Sequence, residues 1–172
     1  MKILLWTLGS VATPIALVVG IGWFLPVRHR ASRQATYPAS PEAVFATITS
    51  VKDYPSWRST VKKVDVVSSA PDKLSWRESG TDSPILFVAE EQVHATRLVT
   101  RIADPALPFG GTWTYELTPA GQGTTLRITE DGEVYNPLFR FVSRFVFLHG
   151  ATLETYLRDL GNRYGTVPTI SA

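Results

Sequence analysis

The chain has 172 residues, of which 19% are charged and 44% apolar, and its net charge is only +2. This is one domain of ordinary size with an appendage, too apolar for a disordered chain and too nearly neutral for a polyanion-binding surface, so no nucleic-acid partner is expected. The absence of cysteine excludes disulfides, thiolate catalysis and thiolate metal sites, and the three histidines, His29, His94 and His149, have no metal-ligand spacing; neither metal nor cofactor is expected.

The first segment, residues 3–25, "ILLWTLGSVATPIALVVGIGWFL", carries no charge. As a helix it would span roughly 34 Å, more than a hydrocarbon core of roughly 30 Å. Trp6 and Trp23 stand near its ends, where amphipathic rings prefer the interface, and Pro14 is tolerated with a kink. A cleaved signal peptide has a shorter apolar region followed by a small-x-small site, whereas here Pro26, Arg28, His29 and Arg30 follow. An uncleaved single-pass anchor over residues 1–27 is therefore expected, with the membrane as a partner. Arg28, Arg30 and Arg33 after the span outweigh Lys2 and the α-amine before it, which puts the following domain on the cytoplasmic side. Ala12, Ala16 and Gly20 repeat at a four-residue spacing, a face through which a homodimer could form.

A domain over residues 28–168 is expected next, with a flexible tail over 169–172. Residues 30–37 have strand character. In "SPEAVFATITSVKDYPSW", Ser40 is a good N-cap, Pro41 suits the first helical position and Glu42 complements the helix dipole. Val44, Phe45 and Ile48 share one face, and Pro55 ends a second short helical piece before Trp57. From Val61 the period changes to two. Val64 and Val66, then Leu74 and Trp76, then Leu98, Thr100 and Ile102 alternate with polar neighbours. So do Trp113, Tyr115 and Leu117, and finally Leu126 and Ile128. "SAPDK", "SGTDSP", "DPALPFGG" and "TPAGQGTT" supply turns between the runs, and a bulge is expected near Glu90 and Glu91. The pattern is an antiparallel meander with one apolar and one solvated face.

After Asn136 and Pro137 the period returns to 3.6 and predicts one helix over 138–164, closed by Gly165. On a helical wheel Leu138, Val142, Phe145, Val146, His149, Thr152, Leu153, Tyr156 and Leu160 share an apolar face, with Phe139 and Phe141 at its edges. Arg140, Arg144, Ala151, Glu154 and Arg158 share the polar face. The economical arrangement is a curved sheet wrapped around this helix.

The segments "SPEAVFATITSVKDYPSW", "LPFGGTWTYELTPAGQGTTLRITEDGEVYNP" and "LETYLRDL" resemble the START-domain / polyketide-cyclase superfamily, SRPBCC, over roughly residues 31–165. The resemblance implies an α+β helix-grip fold with a cavity between sheet and long helix. It also implies hydrophobic ligands: lipids, sterols, polyketides or quinones. It carries no universal catalytic motif, so no catalytic residue transfers.

Strand alternation aims Trp76, Trp113, Tyr115, Leu98 and Leu117 at the cavity, and the wheel adds Phe145, His149 and Tyr156. Glu78 follows Trp76 inward, and Glu130 follows Ile128 unless a bulge intervenes before Gly132. Both glutamates also lie near strand ends, where water would satisfy them, and that plainer reading is preferred. His149, alone on an apolar face, is more simply a satisfied core residue than a ligand or acid–base group. Phe147 falls on the polar face between Arg140 and Arg144; it is either a singly exposed ring or, with both arginines, a membrane contact. The first functional reading is a membrane-anchored domain that binds or carries a hydrophobic small molecule without chemistry. The second is a cyclase, dehydratase or isomerase using His149 with Glu78 or Glu130, and the third an interaction module with a filled cavity.

Overall fold

The computed structural model of the chain describes residues 17–70, 74–80, 83–145 and 150–172. Residues 17–24 are helical (α1). No helix among the described residues is long and apolar enough to cross a membrane. Residues 1–16, which hold most of the expected anchor together with Ala12 and Ala16, lie outside the described residues.

Seven strands follow the order of the sequence pattern: β1 Arg28–Tyr37, β2 Lys63–Ser68, β3 Ser75–Ser79, β4 Ile85–Val93, β5 Arg97–Ile102, β6 Phe109–Ala120 and β7 Gly123–Val134. They form one antiparallel sheet in the order β1-β7-β6-β5-β4-β3-β2. The register of β4 on β5 shifts between Ala89 and Glu91, where the alternation of the sequence fails. Helix α2, Pro41–Thr49, starts as its capping residues require: Ser40 Oγ accepts from the Ala43 N–H at 3.3 Å, and Pro41 opens the first turn. Its Val44, Phe45 and Ile48 are buried against β6 and β7. A 3₁₀ turn, Val51–Ser56, leads to Trp57.

The predicted single helix over 138–164 is two helices, α3 Pro137–Phe145 and α4 Ala151–Arg163. Gly150 separates them with φ +108°, a left-handed conformation outside any right-handed helix. A lone glycine inside a 3.6-residue period is compatible with either outcome; here it is the N-cap of α4. The break changes what the two halves bury. Helix α4 sinks Leu153, Tyr156, Leu157 and Leu160 into the concave sheet, while α3 buries no residue. Gly165, with φ +66°, closes α4 as expected.

The end of the chain is not a free tail. Gln34 N–H donates to Ser171 O (2.9 Å) and Ser171 N–H donates to Gln34 O (3.1 Å). β1 is an edge strand, so its outward backbone groups are open to a partner, and the C-terminal residues supply one.

Candidate functional site

Between the sheet, the 3₁₀ turn and helices α3 and α4 lies a cavity of about 720 Å³. That is a size ordinary for small-molecule sites. Six of the residues aimed at it by the sequence pattern line it: Trp76, Glu78, Trp113, Tyr115, Glu130 and Tyr156. Leu98 and Leu117 point the same way but belong to the packed core and are not part of the cavity wall. Phe145, on α3 and 57% exposed, is a surface side chain and not part of that wall either. Phe139 and Val142, from the same helix, do line the cavity. His149 and Phe147 lie outside the described residues.

The wall is aromatic. Trp113 and Tyr115 neighbour each other on β6, and both pack against the ring of Tyr156 on α4, with centroids 5.9 and 5.6 Å away. Trp57 meets the same ring edge-on at 5.3 Å. Trp76 stacks on Phe87 at 5.8 Å. Such contacts combine large apolar area with fixed geometry.

One charged pair sits within this wall. Arg58 Nη1 donates to Glu78 Oε1 (2.8 Å) and Oε2 (2.9 Å), and Trp76 Nε1 donates to Glu78 Oε1 (2.8 Å). The guanidinium also lies over two phenol rings, 4.8 Å from the centre of Tyr54 and 5.0 Å from that of Tyr156. Burial is the largest influence on Arg58 and opposes its charge, but Glu78 together with the phenols of Tyr156, Tyr54 and Tyr115 leaves the guanidinium above its ordinary pKa. Burial likewise raises the hydroxyls of Tyr54, Tyr115 and Tyr156, so all three are neutral donors at physiological pH. The loop that carries Arg58 is pinned from the helix side: Ser59 N–H and Oγ donate to Asp159 Oδ2 at 2.7 and 2.8 Å. Trp57 Nε1 has no hydrogen-bond partner among the described residues, and the buried Tyr156 hydroxyl meets only the hydroxyls of Tyr54 and Tyr115, short of ordinary hydrogen-bond geometry.

Glu130 also points inward. No bulge interrupts β7 before Gly132, and Glu130 Oε1 lies 3.6 Å from His29 Nε2 on β1. Gly132 makes this possible, because a Cβ there would collide with the His29 ring. Sequence reasoning missed Arg58, Tyr54 and His29. Arg58 follows a helix-ending proline and looks like a loop cation. Its one local signal is the cluster "YPSWR", a cation set directly among aromatic residues. Among the described residues no cluster of acidic and histidine side chains could hold a metal ion.

Arg140, which the sequence pattern places at a membrane surface, is half-buried and binds backbone carbonyls of the chain. Its Nη1 donates to Leu25 O (3.0 Å) and Trp23 O (3.4 Å), and its Nη2 to Tyr135 O (3.0 Å). A cation finds the unpaired carbonyls at the end of a helix, here α1, and binds them. Arg144, one turn on, is exposed.

The fold has relatives among solved structures. The di-domain ARO/CYC StfQ from the steffimycin biosynthetic pathway superposes with a TM-score of 0.66 at 13% identity, covering 81% of this chain and 52% of that one. The chain thus spans about half the length of StfQ. A START superfamily protein from Mycobacterium smegmatis gives 0.62 at 19% identity, covering 80% of this chain and 97% of that one. Zhui aromatase/cyclase from a Streptomyces species gives 0.64 at 11% identity, covering 80% and 94%. No curated protein matches the chain in sequence. Identities this low establish the helix-grip fold alone, but the sequence itself matches one family across residues 28–161, more than three quarters of its length, and the chain belongs to that family, polyketide cyclase / dehydrase and lipid transport.

Proposed function

We propose that this domain binds or carries a hydrophobic small molecule, a lipid, quinone or polyketide-like compound, while held at a membrane by the uncharged segment 3–25, with the domain on the cytoplasmic side. The observation that carries the reading is the cavity: about 720 Å³, walled by Trp76, Trp113, Tyr115 and Tyr156, with one neutralised ion pair among the rings. An apolar ring system gains by leaving water for such a wall, and the Arg58–Glu78 pair offers a polar contact to an oxygen on the ligand. An interaction module with a filled cavity is disfavoured by the open volume. Glu78 is a poor candidate for proton transfer, because both its oxygens accept from Arg58. The test is native mass spectrometry of the full chain extracted in mild detergent, together with tryptophan fluorescence. A co-purifying apolar ligand, or quenching on adding an apolar quinone, supports the reading. If neither ligand mass nor spectral change is found with lipid, quinone or apolar dye, it fails.

A second reading, chemistry, is favoured by one observation: a histidine–carboxylate pair, His29 with Glu130, on the wall of an apolar cavity. It predicts that a bound keto compound leaves the protein altered in mass, by loss of water, or in chromatographic retention, by cyclisation or isomerisation, and that His29→Ala abolishes the alteration while keeping the binding. Recovery of every ligand unchanged would exclude it.

A further inference from the structure

The segment leading from the proposed anchor has no slack. Only Leu25, Pro26 and Val27 separate helical residue 24 from β1, and Val134 N–H already donates to Val27 O at 2.8 Å. Gly22 is buried with its backbone against the carbonyl of Pro137, the first residue of α3; a Cβ there would overlap that carbonyl. Arg140 then ties the carbonyls of Trp23 and Leu25 to that of Tyr135. These contacts fix the end of α1 against the start of α3.

Helix α3 is one wall of the cavity, through Phe139 and Val142. Beside that wall Leu138 and Phe145 are exposed on the same face as Val142, Phe139 is itself half exposed, and no residue of α3 is buried. The docked end of α1 adds Leu17, Ile21, Trp23 (70% exposed) and Phe24 (91% exposed). Uncovered apolar side chains of this number, on two elements in contact, exceed the scattered exposure normal for a soluble surface. The chain itself points to the occupant. Upstream of these residues the sequence runs without a charge from Ala16 back to Ile3. Their companions are exposed Arg144 and the amphipathic ring of Trp23, which suit a headgroup region.

We propose that α1 is a rigid bracket, not a flexible tether: it holds α3 in the interface of a phospholipid bilayer, so that the cavity opens towards the membrane and takes its ligand from the lipid phase. This rests on the membrane-held reading above. A membrane-dissolved molecule could then reach Phe139 and Val142 without crossing water.

The chain has no cysteine, so single labels are clean. The full chain carrying Phe145→Cys, labelled with nitrobenzoxadiazole, is reconstituted in vesicles of phosphatidylcholine and phosphatidylglycerol. The expected result is blue-shifted emission that is lost on adding headgroup-region spin-labelled lipid. A label at Val67→Cys, exposed on edge strand β2, should keep its aqueous emission and serves as the reference. Gly22→Leu, and independently Arg140→Gln, should return the Phe145→Cys label to aqueous emission while the protein stays with carbonate-washed vesicles. If the protein stays with the vesicles but the label is aqueous from the start, or is unmoved by both variants, the bracket is wrong and the anchor stands. If the protein washes off the vesicles, the anchor itself is wrong and the bracket falls with it.

Discussion

Replacing Arg58 with methionine removes the cation of the cavity and leaves its carboxylate. The side chains of Arg58 and Glu78 are only 14% and 11% exposed, so solvent screens the pair weakly. In the variant Glu78 keeps the Trp76 N–H at 2.8 Å but loses the guanidinium contacts at 2.8 and 2.9 Å. Breaking a buried pair from one side costs about 3–5 kcal/mol, because the remaining charge is stranded. The residual exposure and the tryptophan donor place this site at the lower end, about 3 kcal/mol. Loss of the cation over the Tyr54 and Tyr156 rings acts in the same direction. For a chain of this size about 1 kcal/mol moves the midpoint by roughly 3 °C, so Tm should fall by roughly 9 °C. The double variant Arg58→Met, Glu78→Met strands no charge and should recover most of the loss. Thermal unfolding of the full chain in mild detergent, on wild type, both single variants and the double, completes the cycle. A single-variant cost below about 1 kcal/mol would mean that the pair behaves as a surface bridge, and the reasoning would be refuted.

Tyr156→Phe should change the unfolding free energy by less than about 1 kcal/mol, since its hydroxyl meets those of Tyr54 and Tyr115 only outside ordinary hydrogen-bond geometry; a larger fall would mean that it makes a full hydrogen bond. Gly150→Ala should destabilise by about 1–3 kcal/mol in urea unfolding, because φ is +108° and the new methyl would meet the Arg33 guanidinium at 3.0 Å; an unaffected midpoint would mean that the α3–α4 break relaxes freely. Burial holds the Tyr37, Tyr54, Tyr115 and Tyr156 hydroxyls above their ordinary pKa. The unfolded chain therefore ionises first as pH rises. Stability should be intact below about pH 10, where unfolded tyrosine is still protonated, and fall progressively above it. Phenolate absorbance followed alongside circular dichroism should show most of the tyrosine signal arriving with unfolding, and its arrival in the folded state would contradict the burial.

Much of the fold is local in origin and was legible. Alternation with period two places Trp76, Leu98, Tyr115 and Leu117 on one face whatever the partner strand, because successive side chains of any strand point oppositely. The same rule carried Glu78 and Glu130 inward. Ser40 and Pro41 announce α2 through dihedral preference and a short-range hydrogen bond. The Ala89–Glu91 bulge shows as broken alternation, and the uncharged run of residues 3–25 is likewise a property of the sequence.

What the pattern could not contain are meetings across the chain. Arg58 finds Glu78 twenty residues later, and Arg140 reaches back 115 residues to Leu25. An arginine in a turn and an arginine on a polar helix face both read as solvated, yet here each is drawn to the strongest unpaired acceptors near it: a carboxylate among rings in one case, helix-end carbonyls in the other. Gly150 is the sharpest division between the two levels. A helical period tolerates a glycine, so residues 138–164 read as one helix by sequence. Only in three dimensions do α4, gripped by the sheet, and α3, joined to the end of α1, take separate positions, and Gly150, at the start of α4, adopts a backbone conformation that glycine reaches at little cost.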